Sequence, residues 1–175
     1  SYLYNTSISK TDLADTILII GSNPKWEASV LNSRIRKAYL NNDCKIGLIG
    51  KKIDLTYKYT HLSDTLDYLN SILDGSSPFC NLLKKASRPM IIIGNSAIDY
   101  ENGEDILDVC SLISKKYNLI KNDWNGFNVL QQDISRVGAL DIGFYNNKFS
   151  KNFDKNLSQH LSAHRPLVFL LNQDE

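Results

Sequence analysis

The chain has 175 residues, with 20 Lys and Arg against 19 Asp and Glu and a net charge of +1. Its 42% hydrophobic and 22% charged content is that of a globular chain, which excludes a disordered, collagen-like or coiled-coil polypeptide, and about 150 residues per domain makes it one domain. The balanced charge leaves no footprint for nucleic acid, and no apolar run approaches the ~20 residues of a membrane span.

In chain order, Thr16-Ile17-Leu18-Ile19-Ile20 is a continuous apolar run closed by Gly21-Ser22-Asn23-Pro24. Such a run reads as a strand buried on both faces, the kind found in parallel sheets under helices. Asn23 followed by Pro24 predicts a helix start, with Asn supplying a capping oxygen and Pro set for the first turn. The helix expected over residues 24–40 places Val30, Leu31, Ile35, Ala38 and Tyr39 inward and Arg34, Arg36 and Lys37 outward. Asn41-Asn42-Asp43 ends it, and Lys45-Ile46-Gly47-Leu48-Ile49 is the next strand, closed by Gly50.

Residues 51–61 lack periodicity and read as loop. Residues 62–73 predict a helix with Leu62, Leu66, Leu69 and Leu73 on one face, stopped by Asp74-Gly75. A short helix over residues 78–86 follows, with Phe79, Leu82, Leu83 and Ala86 inward, and then a third buried strand, Pro89–Ile93, closed by Gly94-Asn95-Ser96. Residues 105–117 predict a helix with Ile106, Val109, Cys110 and Ile113 as its core stripe. Residues 129–137 read as helical and 167–171 as a last short strand, and residues 145–165 read as a surface excursion. The runs at Ile17 and Met90 echo one another: each is a buried strand, a Gly, a Ser/Asn pair and a helix. Two such units belong to one doubly wound, mostly parallel sheet flanked by helices, so the expected fold is α/β over residues 1–175.

Loops after the strands of such a sheet are where ligands bind. Gly21, Ser22, Asn23 and Pro24 therefore form the one candidate phosphate-binding loop, with backbone N–H groups at a helix start. The loop departs from GxGxxG, since Asn23 and Trp26 stand where glycines are required, and neither GxxxxGK[ST] nor GxSxG occurs. Glu27 would repel a phosphate while complementing the helix dipole. Cys44, Cys80 and Cys110 are too widely spaced for a zinc or iron–sulfur ligand run and read as buried small hydrophobes. His160 and His164 lack the Glu of an HExxH frame and read as solvent-facing. No catalytic constellation and no metal site is expected.

The stretch from Ala14 to Pro24, an Ala-Asp pair, an apolar run and Gly-Ser-Asn-Pro, resembles the molybdopterin oxidoreductase superfamily. Glu27-Ala28, Asn32-Ser33-Arg34-Ile35-Arg36-Lys37, Asp54-Leu55-Thr56-Tyr57, His61-Leu62 and Ala139-Leu140-Asp141-Ile142-Gly143 are similar to one branch, the large iron–sulfur subunit of respiratory complex I. The resemblance implies a molybdopterin-oxidoreductase-like, Rossmann-related piece of that subunit's C-terminal part. Its iron–sulfur clusters would lie in an N-terminal region absent here and in partner subunits, leaving no cofactor in this chain. In the molybdenum enzymes the matching turn approaches the cofactor's phosphates, and the next strand ends in an acidic residue followed by Pro-Arg. Here that strand ends Ile49-Gly50-Lys51-Lys52, so Gly21–Pro24 is expected to be a relic of architecture.

The implied role is structural, in the peripheral arm of a proton-pumping NADH:ubiquinone oxidoreductase, beside other arm subunits and the rest of the same subunit. Trp26, Trp124 and surface tyrosines are candidate interface anchors. The start at Ser1, close to a core strand, reads as the middle of a longer protein, and frequent Asn, Lys and Ile with scarce Ala as an AT-rich genome. Those features suggest an organelle or a bacterium as the source, and the resemblance then implies the matrix side of the mitochondrial inner membrane, or the cytoplasmic face of a bacterial one. The alternatives are a redox-enzyme domain with a pterin or nucleotide at Gly21–Pro24, and a free-standing ligand-binding module.

Overall fold

The computed structural model describes residues 2–99 and 102–143. A 3₁₀ turn, Ile8–Leu13, leads into β1 (Thr16–Ile20), a short α1 (Pro24–Glu27) and α2 (Ser29–Asn42). Strands β2 (Lys45–Ile49) and β3 (Thr60–Ser63) follow, then α3 (Tyr68–Asp74), α4 (Phe79–Lys85) and β4 (Pro89–Ile93). After α5 (Asn95–Ile98) and α6 (Gly103–Lys116) come β5 (Ile120–Lys121), β6 (Trp124–Asn125), β7 (Phe127–Val129) and α7 (Ile134–Asp141).

Five strands form one parallel sheet in the order β3-β2-β1-β4-β7, and β5 pairs antiparallel with β6. The two echoed strands lie side by side in register, Ile17 opposite Met90 and Ile20 opposite Ile93. All five residues of β1 and of β4 are buried. Successive side chains of a strand point to opposite faces, so each strand feeds two cores. Leu18, Ile20, Ile91 and Ile93 meet α3, α4 and α6 on one face, and Ile17, Ile19, Met90 and Ile92 meet α2 and Trp124 on the other. Each fully buried Ile or Leu contributes about 1.5–3 kcal/mol relative to an exposed one. That two-sided burial produces the unbroken apolar runs. The chain divides into two compact units, Ser1–Val137, which holds every strand among the described residues, and Gly138–Glu175. The described part of the second unit, residues 138–143, continues α7 to Asp141 and ends in a turn.

Several local expectations are corrected. The helix expected over residues 24–40 is two helices, broken at Ala28 (φ −150°, ψ 65°). The break turns Val30 outward, to 66% exposure, while Leu31, Ile35 and Ala38 stay inside. Residues 62–73 are not one helix: Leu62 belongs to edge strand β3, and α3 begins only at Tyr68. Leu82 sits on the outer side of α4 at 36% exposure. The sixth helix starts at Gly103 rather than residue 105. Residues 129–137 begin as the last residue of β7, and helix appears only from Ile134. Trp124 is core rather than interface: it is 4% exposed and its Nε1–H donates to Pro89 O at 2.8 Å. The expectations for residues 145–165 and 167–171 and for His160 and His164 lie outside the described residues.

Candidate functional site

In the strand order, the chain leaves β1 toward β2 on one side and toward β4 on the other, so the sheet's switch point lies between β1 and β4. At the carboxyl ends of these strands is a cleft of about 780 Å³, lined by the loop Gly21, Ser22, Asn23 and Glu27, by Gly50 and Lys51 after β2, and by Ser96 of α5. Asp64 and Asp67 before α3 and Asn102 and Asp105 at the start of α6 complete its walls. Gly21, Ser22 and Asn23 therefore lie where the sequence places a ligand loop. Pro24 is buried beside them as the first residue of α1.

Backbone approach explains the glycines. Gly21 has φ +54°, and a Cβ there would come within 2.7 Å of Ala97 Cβ. A Cβ on Gly94 would lie 2.3 Å from Gly21 O. The two turns are thus packed against each other, with Gly94 N–H donating to Ile20 O at 2.8 Å and Ser96 Oγ–H donating to Gly21 O. On the other flank Gly21 N–H donates to Ile49 O at 2.9 Å, and His61 Nε2 lies 2.9 Å from Gly50 O, a contact that requires Nε2 to carry the proton.

The donors a phosphate would need already have an acceptor. Glu27 Oε1 accepts the Asn23 N–H at 2.8 Å, and Oε2 accepts the Ser22 hydroxyl at 2.8 Å. Sequence reasoning gave Glu27 to the helix dipole and the cap to Asn23. The geometry corrects this: Asn23 makes no side-chain cap and its Oδ1 finds no partner, while Glu27 reaches back one turn to do the capping. Around it the cleft carries, among the described residues, four carboxylates, Glu27, Asp64, Asp67 and Asp105, against one cation, Lys51. A multiply charged anion would have to displace Glu27 and face this field. The residues present do not fit a phosphate or pyrophosphate group.

The contributors that sequence reasoning missed come from other elements. Ser96 was marked by the internal echo, since Gly94-Asn95-Ser96 repeats the glycine and Ser/Asn pair of Gly21-Ser22-Asn23 with the pair reversed. Asp64, Asp67 and Asp105 carried no signal until the strand order was known. Among the described residues no group of three His, Cys, Asp or Glu could hold a metal ion. The three thiols are buried at 0–1% exposure. Burial pushes Cys110 up to about 12, and burial, with the charges of Asp15 and Asp43, does the same to Cys44.

The residues that carried the resemblance serve as scaffold. Tyr57 donates its hydroxyl to Asn32 Oδ1 at 2.8 Å, and burial holds that phenol well above its ordinary range. Asp54 Oδ1 accepts the Thr56 N–H at 3.1 Å, which shapes the turn around fully buried Leu55. Arg34 Nη1 and Lys37 Nζ both reach Asp12 Oδ2, at 3.0 and 2.8 Å.

With this geometry in hand, the likeness to known proteins is specific. The sequence profile of the Molybdopterin oxidoreductase family matches residues 1–175. The mitochondrial NADH-ubiquinone oxidoreductase 78 kDa subunit of Neurospora crassa is 39% identical over 146 residues, 82% of this chain and 19% of the relative. The NADH-ubiquinone oxidoreductase 75 kDa subunit of Reclinomonas americana is 34% identical over 180 residues, covering 100% of this chain and 25% of its own length. The mitochondrial NADH dehydrogenase (ubiquinone) iron-sulfur protein 1 of Solanum tuberosum is 37% identical over 142 residues, 81% of this chain and 19% of the relative. The chain therefore spans about a fifth to a quarter of the length of these relatives. Their names and the fold agree with the branch that the sequence motifs resemble, and the chain belongs to the molybdopterin oxidoreductase family.

Proposed function

We propose that this chain is a structural part of the peripheral arm of a proton-pumping NADH:ubiquinone oxidoreductase. It supports electron transfer from NADH to quinone without holding a redox centre itself. The observation that carries membership is the shared name of the relatives, all NADH-ubiquinone oxidoreductase or NADH dehydrogenase subunits at 34–39% identity. The scaffold role is supported by the Glu27 carboxylate, which takes the donors of Ser22 and Asn23 that a cofactor phosphate would use. On this reading the phosphorylated pterin for which the family is named has no seat here. Iron–sulfur clusters belong to other parts of the enzyme. The motif residues Asn32, Arg34, Asp54 and Tyr57 hold the fold together rather than a ligand. The partners are the rest of the same subunit and neighbouring arm subunits, on the matrix side of the mitochondrial inner membrane. Among the described residues no helix is long and apolar enough to cross that membrane.

Two assays test the two halves. Immunodepletion with antibody against this chain is expected to remove NADH:quinone reductase activity from solubilised membranes in proportion to the chain; undiminished activity would contradict membership. Acid extraction of the purified chain is expected to release neither pterin nor guanine nucleotide, and a stoichiometric yield of either would return a ligand to Gly21.

A further inference from the structure

A second concavity, of about 770 Å³, shares Glu27 with the switch-point cleft and lies between the N-terminal segment, α1 and the start of α7. Its lining includes Leu3, Ile8, Trp26, Val30 and Ile134, exposed to 37%, 48%, 80%, 66% and 92% respectively. Five large apolar side chains left in water around one groove mark an interaction surface, whereas single exposed ones would need no explanation. Three features of the fold put them there. The break at Ala28 swings Trp26 and Val30 off the core face. Antiparallel pairing of Tyr4 with Asn128, and Val129 N–H donating to Leu3 O at 3.0 Å, pin the N-terminal segment along β7. Ile134 opens α7 on the rim.

The charges select the partner. Among the described residues the lining holds exposed Asp133, and Glu27, whose charge stays at the rim although its oxygens cap the switch-point loop, and it holds no Lys, Arg or His. We propose that this groove docks an apolar segment flanked by Lys or Arg, supplied by a part of the same oxidoreductase outside residues 1–175. Trp26 would be its anchor, since Trp gives large contact area at low entropic cost and dominates interface hot spots. The proposal rests on membership in the enzyme as proposed above.

The test is made on the assembled enzyme. Hydroxyl-radical footprinting of the full chain, free and within the purified complex, should show Trp26, Val30 and Ile134 protected at least fivefold in the complex. A chain carrying benzoylphenylalanine in place of Trp26, assembled and irradiated, should crosslink to a Lys- or Arg-flanked apolar peptide of the same enzyme. Ile134→Asp, at a site too exposed to disturb folding, should lower incorporation several-fold while leaving the melting temperature of the free chain unchanged. Equal footprints in both states would overturn the proposal, as would a crosslink to residues 144–175, to a second copy of the chain or to lipid. Failure of membership is separately visible, because the wild-type chain would then be missing from the complex altogether.

Discussion

Glu27 shows how one side chain decides what a loop can do. Its carboxylate satisfies two donors of the switch-point loop, so Glu27→Ala should cost about 0.5–2 kcal/mol in urea unfolding, the range for a lost helix cap. Glu27→Gln keeps an acceptor and should lose less. Amide exchange at Asn23 should quicken in the alanine variant, and unchanged exchange there would show that the carboxylate does not hold the loop. The cysteines make a second residue-scale case. Their burial predicts that none reacts with a thiol reagent at pH 8 while the chain is folded, and that all three react in denaturant. Burst labelling of Cys44 or Cys110 in the native chain would contradict the packing described here. The role of Gly21, Ser22 and Asn23 as a loop at the carboxyl end of a sheet strand was legible from residues alone, because Gly-Ser-Asn-Pro closes a buried apolar run. Which acceptor fills the loop was not legible, since a carboxylate at residue 27 is equally at home completing a dipole or closing a cap.

At the scale of elements, strands buried on both faces announced themselves and edge strands did not. In β1 and β4 every side chain is covered, and after Thr16 at the start of β1 no polar residue interrupts them. Edge strand β3 reads Thr-His-Leu-Ser with no residue fully buried, and β7 is three residues long with Asn128 at its centre. Asn128 is fully buried because it clasps the N-terminal segment, its Oδ1 accepting Thr6 N–H at 2.8 Å and its Nδ2 donating to Thr6 Oγ1 at 3.1 Å. Polarity that serves such a tertiary contact looks like loop in a sequence. The tie between the 3₁₀ turn and α2 gives a pH prediction. Partial burial opposes the charge of Asp12, but hydrogen bonds and charges from Lys37 and Arg34 outweigh it and hold its pKa below the ordinary 3.8. A depressed carboxylate stabilises the fold above its unfolded value and loses that contribution as pH falls through the folded one. Asp12→Asn should therefore destabilise by about 1 kcal/mol at pH 7, since both cations are partly exposed, and the difference should close below pH 3.8. A gap that persisted in acid would point to packing rather than charge.

For the whole molecule, topology is what gathers the candidate site. Asp64, Asp67, Ser96 and Asp105 are separated by up to 84 residues from Gly21, and only the order β3-β2-β1-β4-β7 brings them to one cleft. The α/β class and the placing of the two echoed strands in one parallel sheet were readable, because buried parallel strands and right-handed crossovers leave few arrangements; that the two strands pair directly came only with the structure. The helix break at Ala28 and the resulting apolar groove were not, since no Pro or Gly marks the break. The same core makes the fold sensitive at its centre: Ile19→Ala, in β1 with no exposed surface, should cost about 2–5 kcal/mol by chemical denaturation. A loss under 1 kcal/mol would mean the sheet is not the folding core. The central claim is that this chain works inside a large NADH-oxidising assembly. Native electrophoresis of solubilised membranes, stained in the gel for NADH oxidation and followed by mass spectrometry of the stained band, tests it most directly. Peptides of this chain should appear in that band in stoichiometric amount with the other subunits; peptides confined to a species near 20 kDa would contradict the claim.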